Sequence, residues 1–357
     1  MPFQGARVRL GLAATGLVFV ALLLRLPGAT QDSLPASLSD REFWALTEDL
    51  SEPDGAFRSN SGSPDNLLSN ETTISTVAAA LASRVKPSGV YLGVGPEQNF
   101  TYIAAIRPRI AFITDIRRGN LQLHLMYKAV FEMSATRSDF VARLFSRKPP
   151  AGLSPAASAA ELMSAYLRAD RDDAAAVDGR LKAISDHLTR TRQFPLGAND
   201  LAGIEYVYRT FHRFGPAIHY TSSIGRRSGS TRSYATLMSS TDRATGREHG
   251  FLASEENFAL VKALQHKNLI VPVVGDFAGP KALRAVGAYL ERKGATVTAF
   301  YVSNVEMYLQ RNGVWPAFCA NVAAMPLDAA SIFIRPDNRR SGSFASMSAD
   351  TAACRGK

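Results

Sequence analysis

The chain has 357 residues, of which 46% are hydrophobic and 20% are charged. These shares are typical of a globular protein and exclude a polytopic membrane protein and a disordered chain. The length suits one large α/β domain with insertions, or two small domains. A formal net charge of +10 suits an anionic partner or surface, but the basic residues are scattered along the chain. We therefore expect no nucleic-acid binding.

The N-terminus has the pattern of a secretory signal. Arg7 and Arg9 precede an uncharged apolar run, residues 10–24, which Arg25 ends. The run is shorter than the roughly 20 residues that span a bilayer comfortably, which favours a cleaved signal peptide over a retained signal anchor. We predict that residues 1–30 direct export to the periplasm or cell envelope, with one membrane anchor if they are not removed.

Residues 31–69 are rich in Ser, Asp, Pro and Gly and predict a linker with one docking turn. A helix is expected from Asn70 to Arg84, because Ile74, Val77 and Leu81 follow helical spacing. The folded domain is predicted to cover residues 70–336.

Strands and helices then alternate. A short strand at residues 89–92 ends in the glycine-containing turn of residues 93–100, and a second apolar run at 110–114 ends on Asp115 before a helix that reaches Met133. Residues 147–193 are alanine-rich with helical periodicity, and predict an inserted helical hairpin.

The second half of the predicted domain continues the alternation. Helices are expected at 200–214, 255–265 and 279–293, and strands at 234–239, 269–274, 295–302 and 331–335. Residues 337–357 are predicted to form a loose tail. The pattern indicates an α/β protein with a Rossmann-like, doubly wound and mostly parallel sheet that carries helices on both faces.

In open parallel sheets, ligands bind outside the carboxyl ends of the strands. Residues that follow the predicted strands are therefore the candidates for a small-molecule site: Gly93, Gly95, Pro96, Glu97, Gln98, Asn99, Asp115, Arg117, Asn120, Asp242, Asp276, Phe277, Asn304 and Glu306.

The two glycines of the first turn can adopt positive φ, and the N–H groups of the following helix could meet an anion or carboxylate. Pro96 and the lack of a third glycine argue against a dinucleotide-binding dehydrogenase. A tight turn with a purely structural role is the alternative reading.

Asp115 lies about twenty residues beyond that turn, where an acidic side chain can accept both hydroxyls of a ribose. It could equally cap the following helix, or pair with Arg117 or Arg118. Cys319 and Cys354 are the only cysteines. They could form a disulfide in an oxidising compartment or remain free thiols.

Four segments carry a family resemblance: GVGPEQNFTYIAAI, FITDIRRGN, VVGDFAGPKA and FYVSNVE. They resemble the sequence blocks of a bacterial family of unknown function whose fold is similar to class I S-adenosylmethionine-dependent methyltransferases. The resemblance implies that residues 93–99 hold the methionine moiety, Asp115 the ribose and Asp242 the adenine, while Asp276 faces the substrate as the catalytic residue. Leu92 stands where such enzymes usually carry an acidic residue, and Phe277 replaces their proline-aromatic turn.

Three functions follow as hypotheses. The first is a methyltransferase-like protein with S-adenosylmethionine as its cofactor. The second is a non-catalytic envelope protein that binds a nucleoside-like or anionic molecule. The third is an enzyme of another class that uses Asp115, Asp276 and Glu306 as acid, base or metal ligands. The sequence lacks the G-x-S-x-G, H-E-x-x-H and Walker motifs of common hydrolases, zinc enzymes and nucleotide triphosphatases.

Overall fold

The computed structural model describes residues 1–3, 33–56, 65–224, 232–335 and 343–354. Nearly all of the predicted export segment, residues 1–30, lies outside this part of the chain. Among the described residues, no helix has the length and apolar character that a membrane span requires. The chain divides into two units, Met1–Gln31 and Asp32–Lys357. All helices and strands described belong to the second unit.

The helices before the third strand lie at the following positions: α1 Asp40–Leu50, α2 Ile74–Arg84, α3 Gln98–Ile106, α4 Arg118–Met133, α5 Arg137–Phe145, α6 Ala159–Arg168, α7 Ala174–Asp186, α8 Ala198–Phe214, α9 Tyr234–Met238 and α10 Glu255–His266. A π-helical turn, His187–Thr191, extends α7. Two short 3₁₀ turns follow α8, at Gly215–Ala217 and Ser222–Ile224. Four helices and a final 3₁₀ turn follow in the described C-terminal part: α11 Ala282–Arg292, α12 Val305–Arg311, α13 Trp315–Ala323, α14 Met347–Asp350 and Ala352–Cys354.

Six strands form one sheet: β1 Val90–Gly93, β2 Ile110–Asp115, β3 Ile270–Val274, β4 Val297–Tyr301, β5 Ile332–Arg335 and β6 Ser343–Ser346. Their order across the sheet is β3-β2-β1-β4-β5-β6. The first five strands of this order are parallel, and β6 pairs antiparallel with β5. The chain is thus an α/β protein with a mostly parallel sheet.

Helices cover both faces of this sheet. On one face, the Phe112 ring packs against Tyr289 of α11 with centroids 5.8 Å apart, and Phe300 of β4 packs against α13. On the other face, Tyr91 donates a hydrogen bond to Asn99 of α3, and Tyr301 packs against the same helix. Because both faces are covered, the central parallel strands are largely continuous apolar runs rather than alternating ones.

The edge strand β3 is protected by the segment that follows α1. Pro272 lies within β3, a position that an edge strand tolerates because no further strand needs its missing N–H. Glu52 donates its backbone N–H to the Val274 carbonyl at 2.7 Å, and the Ser51 hydroxyl accepts from the Val274 N–H at 3.0 Å. These contacts cap the carboxyl end of the edge strand.

The prediction that residues 31–69 form a linker is wrong for their first half. Ser39 and Glu42 form a reciprocal capping box that starts α1. Phe43 and Trp44 of α1 are buried, and the helix packs against β3 and α11. A single amphipathic helix among Ser, Asp and Pro residues leaves too short a periodic signal to be separated from a linker.

The strand predicted at residues 234–239 is the short helix α9. Ser233 caps it by accepting the backbone N–H of Thr236 at 3.2 Å. Four of its five residues are buried, so its apolar run gives no periodicity that distinguishes a helix from a buried strand. Asp242 therefore follows a helix and not a strand.

The tail is ordered in its described part. Residues 343–346 form β6, and a disulfide joins Cys319 of α13 to Cys354. The structure thus decides between the two predicted states of the cysteines. The segment predicted as a helical insertion contains α6 and α7.

Candidate functional site

A cavity of about 240 Å³ opens at the carboxyl edge of the sheet. Residues that follow four adjacent strands line it: Val94 and Gly95 after β1, Asp115 at the end of β2, Gly275 and Asp276 after β3, and Ser303 and Asn304 after β4. Parallel strands bring these residues together because their carboxyl ends share one edge.

Further walls come from parts of the chain that the sequence did not single out. The segment before α2 contributes Asn66, Ser69 and Asn70, while α12 contributes Tyr308 and Leu309. Asn66 and Ser69 belong to the predicted linker and Asn70 begins the predicted domain, and no pattern in the sequence marks the three as part of a site.

Gly95 has the conformation that the sequence predicts for a ligand-binding turn. Its φ is +75°, and a Cβ at this position would lie 3.1 Å from the Asn66 amide nitrogen. Its carbonyl accepts hydrogen bonds from Asn99 at 3.1 Å and from His124 Nε2 at 2.9 Å. Asn99 and His124 therefore hold the turn from the protein interior, while its opposite side faces the cavity.

Two residues predicted for the cavity lie beneath the turn instead. Asn99 is fully buried, and its amide nitrogen donates to the carbonyls of Val94, Gly95 and Pro96. A Cβ on Gly93 would lie 2.0 Å from Asn99 Oδ1. Gly93 is thus required for the packing of Asn99, and the prediction that these two residues line the cavity is wrong.

The remaining residues of the turn divide in the same way. Pro96 and Gln98 line the cavity, whereas Glu97 is fully buried. Both carboxylate oxygens of Glu97 accept the backbone N–H of Ser69 at 3.2 Å. Burial raises the pKa of Glu97 to about 8. Glu97 therefore supports Ser69, a wall residue, and does not itself reach the cavity.

Asp115 shows both properties that its position predicts. It lines the cavity and is 4% exposed. Its Oδ1 also accepts from the backbone N–H of Arg117 at 3.0 Å and lies 3.2 Å from the guanidinium of the same residue. Arg117 lines the cavity too, while Arg118 pairs with Asp200.

Asp276 lies at one end of the row. Its Oδ1 accepts from Ala278 N at 2.9 Å, and its own N–H donates to Glu52 at 3.1 Å. Because β3 is next to β2, Asp276 lies beside Asp115, and Asn304 after β4 lies beside the glycine turn. Asp276, where the resemblance places the substrate, is therefore separated from the glycine turn after β1 by one strand, β2. Phe277 also lines the cavity and packs against Phe300.

Three predicted residues lie elsewhere. Asn120 lines a neighbouring cavity of about 390 Å³. The Asp242 carboxylate accepts from Thr245 within its own turn, at 3.0 Å and 2.8 Å. Glu306 pairs with Arg335 at 2.5 Å and 2.7 Å. Asp242 is displaced because the strand predicted before it is a helix.

A buried carboxylate lies behind the β4 end of the cavity. Glu71 Oε1 accepts hydrogen bonds from the Tyr301 hydroxyl at 3.0 Å and the Ser303 hydroxyl at 2.9 Å. Tyr301 and Ser303 line the cavity. Burial raises the pKa of Glu71, and the two hydroxyl bonds oppose that shift. The sequence offers no signal for Glu71, which lies in a predicted helix start.

The lining mixes polar and apolar side chains and is poor in reactive groups. Its charged side chains, within the described lining, are Asp115, Arg117 and Asp276, without histidine, cysteine or lysine. No group of three or more His, Cys, Asp or Glu side chains among the described residues has the arrangement of a metal site. The arrangement suits recognition of a polar small molecule by carboxylates, amides and backbone groups.

Fold and site together define an α/β protein with a small-molecule cavity at the carboxyl edge of a mostly parallel sheet. The chain belongs to the family described as Domain of unknown function (DUF7790), whose sequence profile matches residues 67–353. Comparison with curated proteins gave no match. The matched region contains all six strands and nearly all of the cavity lining.

Proposed function

We propose that the cavity binds a nucleoside-containing small molecule, with S-adenosylmethionine as the first candidate, and that the protein is Rossmann-like and methyltransferase-like. The observation that carries this proposal is the row of Gly95, Asp115, Asp276 and Asn304 in one cavity. The strand order 3-2-1-4-5-6 corresponds to the Rossmann order, although β6 is antiparallel. Ligands of such sheets bind where the order reverses, between β1 and β4.

The residues fit an adenosyl ligand at two points. Gly95 has positive φ and no side chain, so a ligand can approach the turn backbone. Asp115 offers a carboxylate at the end of the neighbouring strand, where ribose hydroxyls are recognised in this type of sheet. When bound, S-adenosylmethionine would supply an electrophilic methyl group. The chain would contribute binding, orientation and exclusion of water.

A binding role without catalysis is the second candidate. It is favoured by the absence of histidine, lysine and cysteine from the described lining, and by the bond between Asp115 and Arg117. A general base for methyl transfer would have to be Asp276 or a group behind the wall. Turnover of S-adenosylmethionine in the presence of candidate acceptors separates the two functions.

Isothermal calorimetry of the purified protein with S-adenosylmethionine and S-adenosylhomocysteine tests the cofactor. We expect Asp115→Asn to bind about tenfold more weakly, because it loses a charge-assisted hydrogen bond to a hydroxyl. Asp178→Asn removes an exposed carboxylate of α7 that pairs with Arg209, and serves as the control. Wild type that binds neither compound, or an Asp115 variant with unchanged affinity, would exclude this cofactor assignment.

Export to the cell envelope remains part of the proposal and rests on residues 1–30. An alkaline phosphatase fusion after Ser37 should be active, because this enzyme needs an oxidising compartment to form its disulfides. An inactive fusion together with an active cytosolic reporter at the same position would place the protein inside the cell.

A further inference from the structure

The β4 end of the cavity offers a ligand only hydrogen-bond acceptors from its two hydroxyl groups. Tyr301 and Ser303 each have one hydroxyl hydrogen, and both hydrogens point to Glu71 Oε1. Each of these hydroxyl oxygens can therefore offer a ligand in the cavity only its lone pairs. A bound group that contacts these two oxygens must therefore bring its own donors.

The carboxyl group behind this end of the cavity also has no cationic partner among the described residues. Asp115 is balanced by Arg117 at 3.2 Å. Glu71 is 4% exposed and forms no ion pair with any described residue. Buried carboxylates are rarely left without a cation or several N–H donors, because transfer of a lone charge from water is costly. The chain as a whole carries +10, yet no described cation pairs with this buried carboxyl group.

Polar contacts restrict where a cation could sit. The Glu71 oxygen that accepts both hydroxyls lies behind Tyr301 and Ser303, which form the cavity wall. A cationic group in the cavity would contact the two hydroxyl oxygens directly and Glu71 through them. An ammonium group, with three donors and a positive charge, satisfies both requirements.

We propose that the ligand carries a primary ammonium group, which binds at the β4 end of the cavity against the Tyr301 and Ser303 hydroxyl oxygens, with Glu71 as its counter-charge. This deepens the proposed function, on which it rests for the choice of adenosine probes. It names the charged part of the ligand and the residues that recognise it.

Three adenosine compounds separate the charges that Glu71 could recognise. S-adenosylmethionine carries a sulfonium and an ammonium, S-adenosylhomocysteine only the ammonium, and methylthioadenosine neither. Glu71→Gln keeps an acceptor for the hydroxyls but removes the charge. We expect this variant to bind the first two compounds about tenfold or more weakly and methylthioadenosine within about twofold of wild type.

Controls distinguish recognition from loss of structure. Glu256→Gln removes an exposed carboxylate that pairs with Arg107 and should leave all three affinities unchanged. Ser303→Ala keeps Glu71 but removes one acceptor, and we expect a loss of about threefold to tenfold for the two ammonium compounds alone. This variant also tests the proposal if Glu71→Gln does not fold.

The outcomes are distinguishable. An equal loss for all three compounds would show that Glu71 acts only on structure, and a loss for S-adenosylmethionine alone would show that the sulfonium is recognised; each overturns the proposal. If wild type binds no adenosine compound, the proposed function fails, and saturation-transfer NMR with benzylamine and benzyl alcohol tests the ammonium subsite by itself. Selective binding of benzylamine that Glu71→Gln abolishes would support the subsite, and no such selectivity would overturn it.

Discussion

Two regions of this protein bury acidic side chains, and only one of them supplies cationic partners. In the first, Glu132 of α4 lies 2.8 Å from Lys128 and 2.8 Å from Arg192, and accepts from His187 at 2.6 Å. Arg192 also reaches Asp40 of α1 at 3.0 Å. This paired cluster joins α1, α4 and the π-helical turn that follows α7.

The second region lies around the cavity, where Glu71 and Glu97 are buried. Glu97 accepts a hydrogen bond from the Ser69 backbone N–H, and Glu71 accepts hydrogen bonds from two hydroxyl groups. Neither carboxylate forms an ion pair within the described part of the chain.

The difference shows that burial alone does not determine the charge state of a carboxyl group. Burial would raise the pKa of Glu132, but the His187 bond and the charges of Lys128 and Arg192 outweigh it and lower that pKa to about 2. Burial raises the pKa of Glu97 to about 8 because no cation opposes it. The paired cluster keeps its carboxyl group ionised, whereas the two carboxyl groups behind the cavity wall have no cation to oppose the effect of burial.

The largest effect is expected from breaking the paired cluster. Lys128→Met should lower the free energy of unfolding by about 3 kcal/mol, because Glu132 would stay buried with part of its compensation removed. Urea unfolding followed by circular dichroism measures this change. A loss below about 1 kcal/mol would mean that Arg192 and His187 suffice to compensate the charge of Glu132. The contrast between paired and unpaired buried carboxyl groups would then be weaker.

Glu97 should make stability depend on pH. Its folded-state pKa of about 8 exceeds its ordinary value of 4.5, so the folded state keeps a proton that the unfolded state has released. This contribution is complete below pH 4.5 and is lost as the pH rises through about 8. Between pH 5 and 8, we expect wild type to lose about 1.4 kcal/mol per pH unit relative to Glu97→Gln.

The comparison with Glu97→Gln removes the effect of other groups. Burial lowers the pKa of His124 to about 4, which makes stability rise with pH between about 4 and 6.5 in both proteins. Parallel pH profiles for wild type and variant would show that Glu97 titrates normally, and that the cavity region is less dehydrated than its burial indicates.

The smallest effect is expected at an exposed ion pair. Asp186 at the end of α7 pairs with Lys182 and, at 3.2 Å, with Arg190. Asp186→Asn should leave the free energy of unfolding nearly unchanged, because water already solvates these charges. A change comparable to that of Lys128→Met would show that burial is not what separates the two kinds of pair.

Five of the six strands follow from the sequence, because parallel strands covered on both faces are continuous apolar runs. The strand predicted at 234–239 is a helix, and the helix α1 was not predicted, so short segments are where this reasoning fails. A five-residue apolar run has the same composition in a buried helix and a buried strand, and only its neighbours decide between them. The edge strand β6 is serine-containing and short, so its pairing with β5 leaves no hydrophobic pattern.

The candidate site divides similarly. Gly95, Asp115 and Asp276 are predicted for one cavity because each follows a strand, and the structure brings all three to its wall. Gly93 and Asn99 also follow a predicted strand, yet the Asn99 side chain packs against Gly93 and the carbonyls of the turn, away from the cavity. Glu52 and Glu71 are acidic residues without a motif, and their roles depend on contacts with chain segments more than 220 residues away, at separations of 224 and 230.

The sequence by itself determines the alternation of strands and helices and the polar residues that follow each strand, since hydrophobic periodicity and strand-end composition are local properties. Tertiary structure alone decides which strand lies beside which, and thus that Asn304 is next to the glycine turn and Asp276 is not. It also decides which buried carboxylates meet a cation. Strand order and charge pairing depend on contacts between distant parts of the chain, for which a local pattern carries no information.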